Sequence, residues 1–153
     1  MTKNRPIIRL KDFMPYRLSV LSNRISNDIA ALYQKRFSLT IQEWRVIAVL
    51  GEEADLSAAS IAERTAMDKV AVSRAVKSLL ATEHLIRHFS EDDRRRSVIK
   101  LSEKGSDIYK KVAPLALKYE QNILKKMTKK EQATLQKIIK KLEDIQLHIP
   151  DDA

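Results

Sequence analysis

The chain has no cysteine, and its 153 residues include only two glycines and four prolines. The absence of cysteine excludes disulfide bonds and thiolate chemistry. So little glycine and proline leaves few residues for hairpins and glycine-rich catalytic loops, and we therefore expect a mainly helical chain. No stretch reaches the roughly 20 apolar residues of a membrane span, and the first residues lead into no apolar signal-peptide block. A cytoplasmic protein is expected.

The chain is basic, with a formal net charge of +9, and 44% of its residues are hydrophobic. That hydrophobic content is enough for a single domain, residues 1–153, with its own core. The positive balance suggests a polyanionic partner, but ribosomal and membrane-surface proteins share it. The positions of the charges therefore decide the interpretation.

The first half of the chain shows several helix starts. Residues 1–11 are predicted to be a short basic arm, followed by a long helix over residues 12–36 with Asp12 as its cap. Thr40 and Glu43 form a capping box for a second helix. Ser57 begins a short third helix, and Asp68 caps a fourth. Two short helices joined by a tight turn at residues 65–67 indicate a helix-turn-helix.

The second half of the chain predicts a hairpin and two more helices. Residues 85–89 and 97–101 are extended in character and flank a polar turn at residues 90–96. Ser102 caps a fifth helix, in which Pro114 is expected to produce a kink. Thr128 and Glu131 form a second capping box, which opens a sixth helix.

The fourth helix has two different faces. Its apolar face comprises Val72, Ala75, Val76, Leu79 and Leu80. Its other face presents Lys69, Val70, Ser73, Arg74 and Lys77. Arginine can bind guanine in a bidentate manner, and a small apolar side chain can contact a thymine methyl group, so this face suits a major groove. An ordinary amphipathic helix with a solvated face is the alternative.

The hairpin turn carries three consecutive arginines, Arg94, Arg95 and Arg96, beside Asp93. Such a cluster contributes nothing to a core, but it suits the enhanced negative potential of a narrow minor groove. Asp93 can hold one guanidinium group in a fixed orientation. A solvated run of charges is the alternative, and the order of the elements favours the DNA-binding interpretation.

At this point the sequence resembles the MarR family of bacterial regulators, from about residue 18 to residue 147. The segments that carry the resemblance are residues 39–44, residues 68–76, and residues 93–105, where Asp93-Arg94-Arg95 precedes Leu101-Ser102-Glu103-Lys104-Gly105. The resemblance implies a winged helix-turn-helix lobe, residues 40–101. It also implies a homodimer formed by helices in residues 12–36 and 102–148, and a roughly palindromic operator. The expected DNA-binding residues are Ser57, Lys69, Val70, Ser73, Arg74, Lys77, Asp93, Arg94, Arg95 and Arg96.

Two positions depart from the family pattern. His84 stands where the turn after the recognition helix usually has glycine, so a left-handed conformation is expected there. Arg96 stands where a small residue is common, which makes this wing more basic than usual.

The resemblance also implies a small-molecule effector, which would release a repressor from its operator. Arg17 and Arg24 share a face of the first helix, and Arg24 matches a position from which some relatives hold a carboxylate. Trp44 could supply an aromatic wall, and the segment around Tyr16 is similar to the subgroup that senses hydroxycinnamates or their CoA thioesters. The expected ligand-binding residues are Tyr16, Arg17, Arg24 and Trp44. Alternatively, the arginines pair with acids such as Asp28, and Trp44 belongs to the core.

No enzymatic motif is present in the sequence. His84 and His88, with Glu83 adjacent, could bind zinc on a helix, but this segment is predicted to be a helix end and a strand. We therefore expect no enzyme, no cofactor and no metal site. The principal prediction is a ligand-responsive, sequence-specific repressor, with control of aromatic or hydroxycinnamate catabolism as its expected role. The alternative is a basic helical protein that coats nucleic acid without sequence preference.

Overall fold

The computed structural model describes residues 7–89 and 97–145. Its elements are α1 (Met14–Ala30), α2 (Gln34–Phe37), α3 (Ile41–Glu52), α4 (Ala58–Thr65), α5 (Lys69–Ala81), β1 (Leu85–Phe89), β2 (Ser97–Leu101), α6 (Glu103–Leu124) and α7 (Lys129–Glu143). This order confirms the predicted mainly α fold with a small β-wing. Residues 1–6 of the predicted arm, which spans residues 1–11, and the wing tip over residues 90–96 lie outside the described residues.

The capping residues explain most helix starts. Thr40 Oγ1 accepts a hydrogen bond from the Glu43 backbone N–H at 3.2 Å, and the Thr40 N–H donates to Glu43 Oε2 at 2.8 Å. Thr128 and Glu131 form the same reciprocal pair at the start of α7. Asp68 accepts from the Ala71 N–H at 2.8 Å. These bonds satisfy backbone donors that have no partner within the helix.

The first helix differs from its prediction at both ends. Asp12 does not cap it, because α1 begins at Met14 and Asp12 lies one residue before the cap position, in a turn where its N–H donates to the Arg9 carbonyl oxygen. Phe13 occupies the cap position without a side-chain hydrogen bond. The helix ends at Ala30, and the short helix α2 follows after a turn, so one predicted helix is two.

Left-handed backbone occurs at four described residues, and none of them is glycine. Ser38, Asp55, Ala66 and Glu83 have φ values between 51° and 63°. After α4, the Met67 N–H donates to the Ala62 carbonyl oxygen and the Ala66 N–H donates to that of Glu63. This pattern is a Schellman motif, in which glycine usually takes the left-handed position. The tight turn of the helix-turn-helix is therefore built on alanine.

The two glycines serve close packing instead. A β-carbon at residue 105 would overlap the carbonyl oxygen of His84, and one at residue 51 would overlap the ring of Tyr109. Gly105 thus allows the start of α6 to approach the segment that follows α5. Gly51 allows α3 to approach the aromatic ring of Tyr109.

The core lies mainly between α3, α4, α5 and the sheet. Fully buried side chains include Val46, Ile47, Ile61, Val72, Val76, Leu79, Ile99 and Val112. The predicted apolar face of α5 is confirmed at Val72, Ala75, Val76 and Leu79, whereas Leu80 is only partly buried. Ala58, at the first position of α4, is exposed.

The wing strands pair antiparallel, with Leu85 opposite Leu101 and Phe89 opposite Ser97. This confirms the predicted hairpin strands. Leu56 adds a bridge on the other side of β2: its N–H donates to the Ile99 carbonyl oxygen at 3.1 Å, and its carbonyl oxygen accepts from Ile99 at 2.8 Å. The loop before α4 is therefore tied to the wing.

The chain forms two compact units, with the boundary between Ala116 and Leu117 inside α6. In the second unit, Gln132 Nε2 donates to the carbonyl oxygens of Leu124 and Met127, which closes the turn between α6 and α7. Ile138 and Ile139 are exposed on α7, and Ile145 is exposed just after it. None of the described helices combines the length and the hydropathy that crossing a lipid bilayer requires.

Candidate nucleic-acid interface

Helices α4 and α5 form the helix-turn-helix and pack against each other and against α3. Ser57 begins α4, where its Oγ accepts from the Ser60 N–H at 3.1 Å and lies 3.0 Å from the Ser60 Oγ. The side chain is thus occupied by capping. A DNA contact from Ser57 remains a prediction, as does each of the other DNA contacts.

The predicted recognition face of α5 is exposed along its length. Lys69, Val70, Ser73, Arg74 and Lys77 all lie on the surface, and Val70 is 60% exposed. Within the described ranges, no carboxylate pairs with Lys69, Arg74 or Lys77. A surface with three unpaired cations around a valine and a serine can bind phosphate and read base edges.

Lys69 is placed where its charge can help to bind a phosphate but does not stabilise helix α5. It occupies the first turn of α5, which contains no acidic residue. A cation at this end opposes the helix dipole, whose positive end is at the N-terminus. Asp68 offsets that effect as the cap. The same dipole and the free backbone N–H groups make this end of the helix suitable for a phosphate.

The C-terminal end of α5 is held by the start of α6. Lys104 Nζ donates to the Thr82 carbonyl oxygen at 2.8 Å, and Ser102 Oγ donates to that of Glu83 at 2.6 Å. Ser102 Oγ also accepts from the Gly105 N–H, as predicted for the cap of α6. These bonds fix the C-terminal end of α5 relative to the first turn of α6.

The predicted left-handed residue after α5 is Glu83, not His84. Glu83 has φ 61°, and its N–H donates to the Leu80 carbonyl oxygen, while the His84 N–H donates to that of Leu79. The Schellman motif places its left-handed position one residue earlier than expected. His84 is buried, with its Nδ1 2.7 Å from the Thr82 Oγ1.

The surroundings of His84 favour its neutral form. Burial and the nearby charge of Lys104 lower the pKa of His84, and Glu43 opposes them with a smaller effect. His88 lies in β1, where its Nε2 contacts Asp55 Oδ1 at 3.0 Å. Among the described residues, no group of three potential ligands is arranged for a metal ion.

The outer side of β1 contains exposed residues that the sequence interpretation did not single out. Arg87 is exposed, and Phe89 is 66% exposed at the end of the strand. Strand alternation places both on one face, next to the predicted arginine-rich tip. That alternation was readable from the sequence once the strand bounds were known.

A second site, a cleft of about 480 Å³, lies in the first unit. Its lining includes Ser22 of α1, Trp44 and Arg45 of α3, and Arg64 and Ala66 at the end of α4. Of the four predicted ligand-binding residues, Trp44 lines the cleft. Among the described residues that form its wall, Tyr16, Arg17 and Arg24 do not appear; these three side chains are exposed on α1.

The aromatic side of the cleft is rigidly packed. The Trp44 ring stacks on Tyr33 with centroids 5.4 Å apart and on Tyr109 with centroids 6.4 Å apart. Burial raises the pKa of Tyr33 to about 12, against a smaller lowering by Arg45, so its hydroxyl stays protonated. Trp44 is partly buried and packs against the core, and it also lines the cleft. Its position is therefore compatible with both sequence-based alternatives, a core residue and an aromatic wall for a ligand.

The fold and the exposed basic helix define a winged helix-turn-helix protein. The MarR family model matches residues 37–96. A MarR/EmrR family transcriptional regulator from Acinetobacter sp. ADP1 is similar at 28% identity, with a TM-score of 0.81 over 90% of this chain and 96% of that one. The chain is therefore similar to MarR-family transcriptional regulators, in sequence over residues 37–96 and in fold over most of its length. A comparison with curated protein sequences gives no significant match.

Two more distant structures share the fold. FabT of Streptococcus pneumoniae, solved in complex with DNA, is 23% identical, with a TM-score of 0.70 over 84% of this chain and 91% of that one. BpsR of Bordetella bronchiseptica, whose DNA binding is regulated by 6-hydroxynicotinic acid, is 18% identical. Its TM-score is 0.77 over 92% of this chain and the whole of that one.

Proposed function

We propose that the protein is a sequence-specific, dimeric transcriptional repressor that an aromatic acid or its CoA thioester releases from a palindromic operator. The observation that carries the DNA-binding part is the exposed, unpaired face of α5, with Arg74 at its centre. Helix, turn, helix and hairpin occur in the order that places such a face in a major groove. Arg94–Arg96 are proposed to contact the adjacent minor groove, with Asp93 holding one of these guanidinium groups in position.

Dimerisation would create the two-fold symmetry that a palindromic operator needs. The supporting observation is apolar surface left exposed on terminal helices. Leu18 and Leu21 are exposed on α1, and Ile138 and Ile139 are exposed on α7. On each helix the two exposed side chains lie within one turn of each other, and an apolar patch of this kind is typical of interaction sites. The lobe over residues 40–101 would bind DNA, and residues 12–36 and 102–148 would form the dimer.

Two arguments support the proposed aromatic-acid effector: the regulation of a protein with the same fold, and the thermodynamics of ligand-induced DNA release. BpsR, which shares the fold, is regulated by 6-hydroxynicotinic acid, an aromatic carboxylate. A ligand releases DNA only if it binds the DNA-free conformation more tightly. In this chain Tyr16, Arg17, Arg24 and Trp44 are proposed to contribute to binding such an acid. Control of aromatic-acid catabolism follows from an effector of this class.

The experiment that tests the DNA-binding part starts by selecting bound fragments from the source genome. Affinities for a selected operator and for a scrambled duplex are then measured by fluorescence anisotropy. Arg74→Ala should lose about 1–3 kcal/mol on the operator and less on the scrambled duplex, because it removes a base contact. Arg36→Ala, which changes an exposed arginine of α2, is the matched control and should bind as wild type. Equal losses on both duplexes would assign Arg74 to phosphate.

Specificity also separates the proposed repressor from a protein that coats nucleic acid. A specific regulator binds its operator about 10³-fold or more tightly than random DNA. A coating protein would show equal affinities for the operator and the scrambled duplex, with a similar dependence on salt.

A further inference from the structure

The wing strand β1 is joined to the loop before α4 by a side-chain contact. His88 Nε2 lies 3.0 Å from Asp55 Oδ1, and the two side chains are 34% and 56% exposed. The contact needs a proton on Nε2, which the protonated ring and one neutral tautomer both carry. A second exposed pair, between Glu53 and Arg64, joins the same loop to α4 and does not reach the wing.

The contact between His88 and Asp55 crosses the small sheet. Leu56 bridges Ile99 on one side of β2, and β1 pairs with β2 on the other side. Asp55 directly precedes Leu56, so its contact with His88 spans β2 from one edge of the sheet to the other. Val98 lies opposite His88 in β2 and is 5% exposed, as expected for a side chain beneath such a contact. The contact therefore limits the movement of β1 relative to the loop.

The backbone of Asp55 has an uncommon conformation. Its φ is 63°, in the left-handed region. Glycine adopts this region at no steric cost, and among the other residues aspartate and asparagine tolerate it best. Glycine at this position would relieve the strain and lose the contact with His88.

The contact contributes little to the stability of the fold. Both side chains are partly exposed, and pairs of this kind have a small effect in water. Nδ1 of the His88 ring is buried and forms no hydrogen bond within the described residues. A buried nitrogen without a partner is unfavourable, so an apolar ring at position 88 would support the fold equally well. Stability therefore does not explain a histidine at this position.

The neighbours of His88 connect the contact to DNA binding. Arg87 and Phe89 are exposed on the other face of β1, beside the predicted wing tip. We propose that the contact between His88 and Asp55 is a positioning contact that sets the orientation of β1, and with it the wing, for DNA binding. The inference rests on the proposed function, in which the wing contacts the minor groove. It adds two residues to which that function assigns no role.

Charge and position predict opposite results for the loss of Asp55. Removal of a negative charge near DNA should tighten binding, because repulsion from the phosphates falls. Loss of a positioning contact should weaken binding. Asp55→Gly removes the side chain and allows the left-handed backbone, so we expect weaker operator binding. Glu53→Gln removes a negative charge from the other pair of the loop, and this matched control should bind at least as tightly as wild type.

Two variants at position 88 separate the bond from the ring. His88→Phe keeps a ring and loses the bond. It should weaken operator binding by about two- to fivefold, because an exposed pair can bias an orientation only by its own small energy. His88→Gln can donate an amide N–H to Asp55 and should restore most of the affinity. Urea denaturation should show His88→Phe to be as stable as wild type.

The double variant tests whether the two residues act through one contact. Asp55→Gly combined with His88→Phe should bind no more weakly than the weaker single variant, because both substitutions remove the same contact. Losses that multiply would assign independent roles and overturn the inference. A loss of stability that accompanies the loss of binding in His88→Phe would also overturn it.

All variants are compared by fluorescence anisotropy on the selected operator and on the scrambled duplex, at one pH and one salt concentration. Phosphate contacts act on both duplexes, so the variants can be compared even without specificity. If wild type prefers its operator and both single variants bind like wild type, the inference is overturned and the proposed function stands. If wild type binds both duplexes equally and the variants show the expected losses, specific regulation fails and the positioning role stands. A wild-type protein that binds neither duplex refutes both.

Discussion

At the residue scale, the two glycines differ in the kind of atom that an added β-carbon would overlap. At residue 105 the obstacle is the backbone oxygen of His84, which cannot move without shifting the strand that follows. At residue 51 the obstacle is the Tyr109 ring, which belongs to a side chain. The two positions therefore tolerate substitution differently, although both lie in helices.

We expect Gly105→Ala to lower the free energy of unfolding by about 2–3 kcal/mol, because overpacking against fixed backbone forces a displacement. Urea denaturation followed by circular dichroism measures the change. Gly51→Ala should be less destabilising, and it should alter Trp44 fluorescence because the displaced Tyr109 ring stacks on that indole. Unchanged stability in Gly105→Ala would mean that the start of α6 can move away from His84.

Ala66 offers the opposite test, since it holds a left-handed conformation at φ 51°. We expect Ala66→Gly to raise the free energy of unfolding by about 0.5–1 kcal/mol, the difference between relieved strain and the greater entropy of the unfolded chain. Ala133→Gly, in the exposed interior of α7, is the control and should cost about 1 kcal/mol. A loss of stability in Ala66→Gly would contradict the strain assigned to this turn.

The wing arginines lie outside the described residues, and their role stays a prediction. Arg95→Ala should reduce the slope of log affinity against log salt by about one unit, because one phosphate contact is lost. Asp93→Ala should also weaken operator binding, although it removes a negative charge, if Asp93 orients an arginine. Tighter binding by Asp93→Ala would exclude that orienting role.

At the scale of elements, sequence signals located most helix starts because the signals are local. The capping pairs Thr40–Glu43 and Thr128–Glu131 occur as predicted, and the wing strands have the predicted bounds. Asp12 does not cap α1 because the helix begins one residue later than predicted, with Phe13 at the cap position. The left-handed residue is Glu83 because the two Schellman hydrogen bonds after α5 are donated by Glu83 and His84.

The cleft was harder to predict because its residues come from three elements. Trp44 was singled out, but Arg45 and Arg64 are separated by 19 positions and meet only through the packing of α3 with α4. No local spacing predicts such a meeting. By contrast, the face of α5 is a property of one helix, and the structure exposes all five of its predicted residues.

The free energy of unfolding should depend on pH through His84, which lies between α5 and α6. His84 has a lowered pKa, so the unfolded chain binds a proton at higher pH than the folded chain does. Stability should therefore fall as the pH drops below about 6.5, the ordinary value for histidine. His84→Gln should remove this part of the slope, measured by urea denaturation between about pH 7.5 and 5.5. An identical slope in the variant would assign the effect to other groups.

At the scale of the whole molecule, the exposed apolar residues of α7 predict self-association. Ile138→Asp should give a monomer that keeps its helical circular dichroism and loses operator binding, because Ile138 is 51% exposed in the single chain. Analytical ultracentrifugation measures the mass. Lys140→Asp, about 200° around α7 from Ile138, is the control and should remain a dimer. A wild-type protein that is monomeric at micromolar concentration would refute the dimer.

The tie between Leu56 and Ile99 keeps the base of the wing attached to the rest of the lobe. A spin label at Phe89→Cys would therefore report the position of the lobe as well as the hairpin. With no other cysteine in the chain, each dimer would carry two labels and yield one interspin distance. Operator binding should narrow that distance distribution, because the two lobes must then match half-sites about 34 Å apart. An effector should restore the broader distribution.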